Sequence, residues 1–168
     1  MKTQIFIVTY QSPVGLLMLG AFDDKLCLCD WVNSRKRLAN DKRLTRLLKA
    51  DYHEKPSFIT DQACQELTEY FNGSRREFTL PLLLAGTDFQ KTLWQALMEI
   101  GHGKTMSYSS LAKTIGKPTA TRAVASAVGA NPLSIFIPCH RIIGIKGQLK
   151  GYAGGLEAKK RLLELEGL

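Results

Sequence analysis

"SSLAKTIGKPTATRAVASAVGAN", from Ser109 to Asn131, decides the fold of this chain. Its pattern predicts a short helix from Ser109 to Ile115, a Gly-Lys-Pro turn, and a second helix from about Thr119 to Ala130. Two short helices joined by a tight glycine-containing turn are the mark of a helix-turn-helix. The second helix is built from small residues: Ala120, Ala123, Ala125, Ser126, Ala127, Gly129 and Ala130, with Arg122 the one long side chain. Such a helix either packs closely against a neighbour or enters a narrow groove and delivers a single guanidinium there.

Charge favours the groove. The chain of 168 residues carries 23 Lys or Arg against 15 Asp or Glu, a net of +8. Residues 1–85 hold 12 basic and 10 acidic side chains, whereas residues 86–168 hold 11 and 5. Between Phe89 and Leu156 the only acid is Glu99, against eight Lys or Arg. A half-chain with that bias attracts polyanions, nucleic acid first among them.

On the N-terminal side of this motif, "TDFQKTLWQALMEIG" predicts a helix capped by Thr87 or Asp88, with Phe89, Leu93, Trp94, Leu97 and Ile100 at helical spacing. Trp94 in that stripe reads as core. On the C-terminal side lies "IFIPCHRIIG", Ile135 to Gly144, in which two apolar runs surround Pro138, Cys139, His140 and Arg141. Pro138 is expected to end a strand, leaving the Cys139 thiol at a turn. Imidazole and guanidinium neighbours lower a thiol's pKa, and the thiolate is the nucleophile. Five glycines follow in "GIKGQLKGYAGG", a loop whose backbone can approach a ligand closely but which lacks the phosphate-loop pattern. "LEAKKRLLELEGL" predicts a terminal helix, near whose end Glu166 is either a solvated charge or a carboxylate reaching back to His140.

The first half reads differently. "TQIFIVTYQ", "GLLMLGAF" and "LCLCDWV" predict an antiparallel meander. A basic segment from Ser34 to Ala50 follows, with Leu38, Leu44, Leu47 and Leu48 as a loose helical stripe, and then the helix "DQACQELTEYFNG", with Asp61 near its N-cap. "FTLPLLL" predicts a short extended piece leading to a linker at "AGT". The boundary therefore falls between an α+β scaffold lobe at 1–85 and a basic, mostly helical lobe at 86–168. Of four cysteines, Cys27 and Cys29 lie too close for an ordinary disulfide and lack a second pair at zinc spacing, so no metal site is expected. With Cys64 they read as small buried hydrophobes. No run is long enough to span a bilayer and the N-terminus has no signal-peptide pattern, so a cytoplasmic address is expected.

The run "IPCHRII", preceded by Asn131-Pro132 and followed by "GYAGGLEAKKRLLELEG", closely resembles the O6-alkylguanine-DNA alkyltransferases, the methylated-DNA–protein-cysteine methyltransferases. The likeness runs from about Phe89 to Gly167 and includes "MSYSSLA" and "TRAVASAVGANP" in order. It implies an α+β fold, with a ribonuclease H-like N-terminal lobe and a winged-helix-like C-terminal lobe holding the helix-turn-helix. The implied activity is DNA repair by direct reversal: an alkyl group moves irreversibly from O6 of a flipped guanine to the protein's own cysteine. Carried over residue by residue, Cys139 is the acceptor and His140 the base, acting through a water. Glu166 orients His140, Asn131 braces the turn, and Tyr108 donates its hydroxyl to the guanine ring. Ile142, Tyr152, Ala153 and Ser134 line the base pocket. Arg122 fills the gap left by the flipped base, on a helix whose Thr121, Ala123 and Ser126 face the DNA minor groove. No cofactor is implied, the partner is double-stranded DNA bearing O6-alkylguanine, and the protein acts as a monomer away from membranes. Two positions depart from some relatives: Ala153 stands where they have Ser, and Ser134 where they have Pro. The competing readings are a helix-turn-helix regulator or damage marker without chemistry, which Cys139 argues against, and a cysteine hydrolase, for which no oxyanion motif speaks.

Overall fold

Strand β1 (Thr3–Ser12) opens the N-terminal unit of a computed structural model that describes residues 3–168. It pairs antiparallel with β2 (Gly15–Phe22), which pairs antiparallel with β3 (Lys25–Trp31). The first turn is closed by side-chain chemistry: Ser12 Oγ donates to Gly15 O at 2.6 Å and accepts from Val14 N at 3.1 Å. Gly20 is needed where β2 and β3 change register, because a Cβ there would lie 2.9 Å from Leu28 Cβ. The inward face gathers Ile5, Ile7, Cys27 and Leu28 with Leu44 and Ala50.

The meander carries a fourth strand that the sequence does not announce. Strand β4 (Ala50–Glu54) runs parallel to β1, so the sheet order is β3-β2-β1-β4. "ADYHE" carries only a short signal because it is an edge strand: Ala50 is buried and Tyr52 packs partly buried against the core, while Asp51, His53 and Glu54 are exposed. Helix α1 (Arg37–Leu48) connects β3 to β4, but the expected leucine stripe does not form as read. Leu38 is 66% exposed and Leu47 45% exposed, whereas Leu44 is buried. The inward row is instead Asn40 and Leu44, four residues apart, with Leu48 partly buried on the same side. Asn40 sets that rotation by donating to the buried Asp30 carboxylate at 3.1 Å.

Helix α2 (Phe58–Phe71) starts before the expected Asp61 cap. Ser57 is the N-cap and forms a capping box with Thr60. Ala63, Leu67 and Tyr70 turn inward as their spacing requires. The "FTLPLLL" piece runs extended against β3, through Leu26 N–H to Pro81 O and Leu83 N–H to Leu26 O.

The chain divides into two compact units, Met1–Ala85 and Gly86–Leu168. The second opens with α3 (Asp88–Met98), capped by Thr87 in a capping box with Gln90. Leu93, Trp94 and Leu97 are buried, and Trp94 Nε1 donates to Ala127 O at 2.9 Å. A two-residue strand, β5 (Met106–Ser107), leads directly into α4 (Tyr108–Thr114). Gly116, at φ 74°, ends α4 in the left-handed region and releases the chain into α5 (Thr121–Gly129). The two form the helix-turn-helix. After a 3₁₀ turn at Cys139–Arg141 comes β6 (Ile142–Ile143), parallel to β5, and α6 (Leu156–Leu165) closes the unit. Among the described residues no helix is long and apolar enough to cross a membrane.

Candidate active site around Cys139

The residues before Pro138 form no strand, which corrects the sequence expectation. They fold into a buried turn instead: Ile137 N–H donates to Leu133 O at 2.8 Å and Phe136 N–H to Ser134 O at 2.9 Å. Leu133, Ile135, Phe136 and Ile137 are all in the core, so their apolar run reflects all-round burial and not a ladder. Ile135 sits at φ 74°, a costly conformation for a β-branched residue, held by its surroundings. Asn131 closes this turn from inside. Its Nδ2 donates to Ile137 O and its Oδ1 accepts from Leu133 N, both at 2.9 Å. Because α5 ends at Gly129, the helix that carries Arg122 runs almost directly into this brace.

Pro138 then starts the 3₁₀ turn, whose first residue, Cys139, is 6% exposed. His140 Nε2 lies 2.7 Å from Glu166 Oε2, with both side chains fully buried. The other ring nitrogen, Nδ1, is buried and makes no hydrogen bond to the protein. Glu166 is held on several sides: Arg141 Nε donates to Oε1 at 2.8 Å, Arg141 Nη2 to Oε2 at 3.1 Å and Gly103 N–H to Oε1 at 3.1 Å. Arg141 Nη1 also donates to Ile100 O. The guanidinium that the sequence suggests as a charge beside the thiol is therefore committed to Glu166.

Burial pushes the His140 imidazole below its ordinary pKa of 6.5, and the charges of Arg141 and Lys159 push the same way against the pull of Glu166. With Glu166 ionised, a neutral ring places its proton on Nε2 and leaves Nδ1 as a base. The depressed value also gives a test. Above about pH 6.5 the ring is neutral in both folded and unfolded chains; below it the unfolded chain takes up a proton that the folded one resists, so stability falls as pH drops through the lower folded value. Thermal melts compared at about pH 7.5 and about pH 5 are expected to show that acid loss, and His140→Gln should flatten it. An unchanged acid slope in the variant would contradict the assignment.

Tyr108 is delivered by the β5–β6 ladder, in which Met106 faces Ile142 and Ser107 faces Ile143. Burial, and secondarily negative charge at Cys139, raise its phenol, so it remains a proton donor. Ile142 is buried on β6, and Ser134 is buried with its Oγ making no hydrogen bond. Tyr152 and Ala153 lie half-buried in a turn closed by Gly155 N–H to Tyr152 O. Thr121, Arg122, Ala123 and Ser126 are exposed on α5, apart from this hydrogen-bonded cluster.

Lys159 is a member of the site that sequence reasoning misses. It is 0% exposed, and its Nζ donates to Ile142 O at 2.5 Å and Lys150 O at 2.9 Å, joining β6 to the glycine-rich segment. The available signal is its place on the apolar face of α6, three and four residues before Leu162 and Leu163. Burial pushes the Cys27 thiol up to about 12 and raises Cys64 as well, which disfavours a thiolate at either, and Cys29 is fully buried. Among the described residues, no group of three or more His, Cys, Asp or Glu is placed to hold a metal ion.

A buried cysteine in a proline-started turn, a histidine–carboxylate pair adjoining it and a helix-turn-helix in the same unit are together the features of the DNA-alkyltransferase class. Residues 88–168 match the 6-O-methylguanine DNA methyltransferase, DNA binding domain, and residues 5–84 match the 6-O-methylguanine DNA methyltransferase, ribonuclease-like domain. The chain belongs to the methylated-DNA–protein-cysteine methyltransferase family. The member from Methanosarcina barkeri is 42% identical over 156 residues, covering 93% of each chain. The inducible one from Bacillus subtilis is 54% identical over 101 residues, 60% of this chain and 56% of that one. The crystal structure of Mycobacterium tuberculosis OGT in complex with DNA aligns with a TM-score of 0.81 at 37% identity, over 97% of this chain and 92% of the other.

Proposed function

We propose that this protein repairs DNA by direct reversal, moving an alkyl group from O6 of guanine to Cys139 in a single, irreversible event. The observation that carries the reading is the buried His140–Glu166 pair adjoining Cys139. Neutral His140 accepts the thiol proton at Nδ1, through a water, while its Nε2–H stays on Glu166. The thiolate attacks the saturated alkyl carbon in line; the S–C bond forms, the C–O6 bond breaks, and the electron pair leaves on the guanine. Tyr108 donates its phenolic proton to the departing ring, so no free guanine anion is released. Asn131 keeps the turn closed during the attack. Ile142, Tyr152, Ala153 and Ser134 surround the base, and with Ala at 153 only the backbone N–H can serve its edge there.

The O6 atom is out of reach inside a stacked duplex, so the base must be flipped, and Arg122 takes its place. A helix with only small neighbours around Arg122 suits the narrow minor groove better than the wide major one. One chain acts per lesion, as a monomer, in the cytoplasm. The test is stoichiometry. With duplex containing O6-methylguanine in excess, uptake should stop at one methyl group per chain; continued turnover would favour hydrolytic chemistry, and binding without uptake would favour the regulator reading. Arg122→Ala is expected to slow transfer from duplex by about 10- to 100-fold, since a few kcal/mol of flipping cost lose their compensation. Uptake from the free O6-methylguanine base should be unchanged, and equal slowing with both substrates would contradict this role.

A further inference from the structure

The basic surface of the N-terminal unit is concentrated on one helix. Seven of the 12 Lys or Arg in residues 1–85 fall between Arg35 and Lys49, where the single acid is Asp41. Asp41 is already engaged: Arg37 Nε donates to it at 2.9 Å and the Tyr52 hydroxyl at 2.5 Å. Arg35, Lys42, Arg46 and Lys49 are exposed, and their spacing of seven, four and three residues lines them along one face of α1 and its flanks. Between them that face shows exposed Leu38 and no carboxylate. A merely solvated helix interleaves opposite charges at three- and four-residue spacing; here Lys42, Arg46 and Lys49 are successive like-charge neighbours. No acid sits in the first turn of α1 and no side chain caps it, although a helix N-terminus favours negative charge. Apart from the Arg37–Asp41 pair, nothing on this helix neutralises its basic side chains, and an external polyanion would relieve their mutual repulsion.

We propose that this face of α1 is a second DNA-contacting surface, binding duplex phosphates without reading sequence, outside the segment that matches the DNA binding domain. The inference rests on the repair reading, which supplies duplex DNA as the partner. The 12 residues of α1 rise by about 18 Å, along which a duplex presents roughly ten phosphates. The attraction is electrostatic and so is visible in salt dependence.

The experiment compares the full chain with two triple variants on a short undamaged duplex across a salt series. Lys42→Ala/Arg46→Ala/Lys49→Ala is expected to make the slope of log K against log salt shallower by about two to three, near 0.9 for each phosphate no longer neutralised, and to weaken binding at low salt more than tenfold. Lys25→Ala/Lys55→Ala/Arg76→Ala removes the same charge from exposed sites elsewhere in the unit and should leave the slope unchanged. Both variants should take an alkyl group from free O6-methylguanine at the rate of the unmodified chain. An unchanged slope in the α1 variant, or an equal loss in the other, overturns the proposal even when uptake is normal. Failure of the unmodified chain to take up any alkyl group would overturn the repair reading and this inference with it.

Discussion

Replacing Glu166 with alanine is expected to destabilise the C-terminal unit by about 3–5 kcal/mol, a large share of the roughly 5–15 kcal/mol that holds a domain folded. The carboxylate is the common acceptor for Arg141, His140 and the Gly103 N–H, and the two buried side chains, Arg141 and His140, have little or no solvent to fall back on. Removing it leaves a buried guanidinium without its counter-charge and an imidazole without the partner that fixes its tautomer. Glu166→Gln keeps the shape but not the charge, so it should lose less stability while still depriving His140 of its basicity at Nδ1. Denaturant unfolding of the full chain measures both variants. A loss below about 1 kcal/mol for Glu166→Ala would mean that the ion-pair cluster is not holding the site together.

Substituting Cys139 with serine is expected to reduce alkyl uptake to the uncatalysed background while leaving the protein folded. The change replaces one buried atom in a turn that Asn131 and backbone hydrogen bonds hold closed. Chemically the difference is large. A serine hydroxyl is a poor nucleophile without ionisation, and a neutral imidazole that suffices to ionise a thiol falls far short for an alcohol. Duplex binding should persist in this variant, because phosphate contacts do not involve Cys139. Substantial uptake by Cys139→Ser, followed as labelled alkyl retained by the protein, would move the acceptor elsewhere.

What can be read from the sequence depends on distance along the chain. The helix-turn-helix is legible because its turn residues and small-residue helix are contiguous. Cys139, His140 and Asn131 stand out for the same reason, gathered within one short stretch. Glu166 is ambiguous in sequence because its partners are 25, 26 and 63 residues away, and no local pattern distinguishes a carboxylate that closes such a cluster from a solvated one. Arg141 misleads for the converse reason: adjacency to Cys139 suggests a contact, but a 3₁₀ turn directs its guanidinium to Glu166. Lys159 escapes notice because burial of a lysine runs against its chemistry, and only the two carbonyls it meets make the position tolerable. In the N-terminal unit, strand β4 turns only Ala50 and Tyr52 inward, too few for a period to show, and the rotation of α1 is set by the Asn40–Asp30 hydrogen bond and not by its leucines.

The central claim is that Cys139 is the acceptor. Its most direct test is mass spectrometry of the full chain after incubation with a duplex containing O6-methylguanine, followed by peptide mapping. A single added methyl group on the peptide containing Cys139, absent when Cys139→Ala is treated in the same way, is the expected result. A methyl group mapped to Cys64, or an unmodified protein beside repaired DNA, would contradict it.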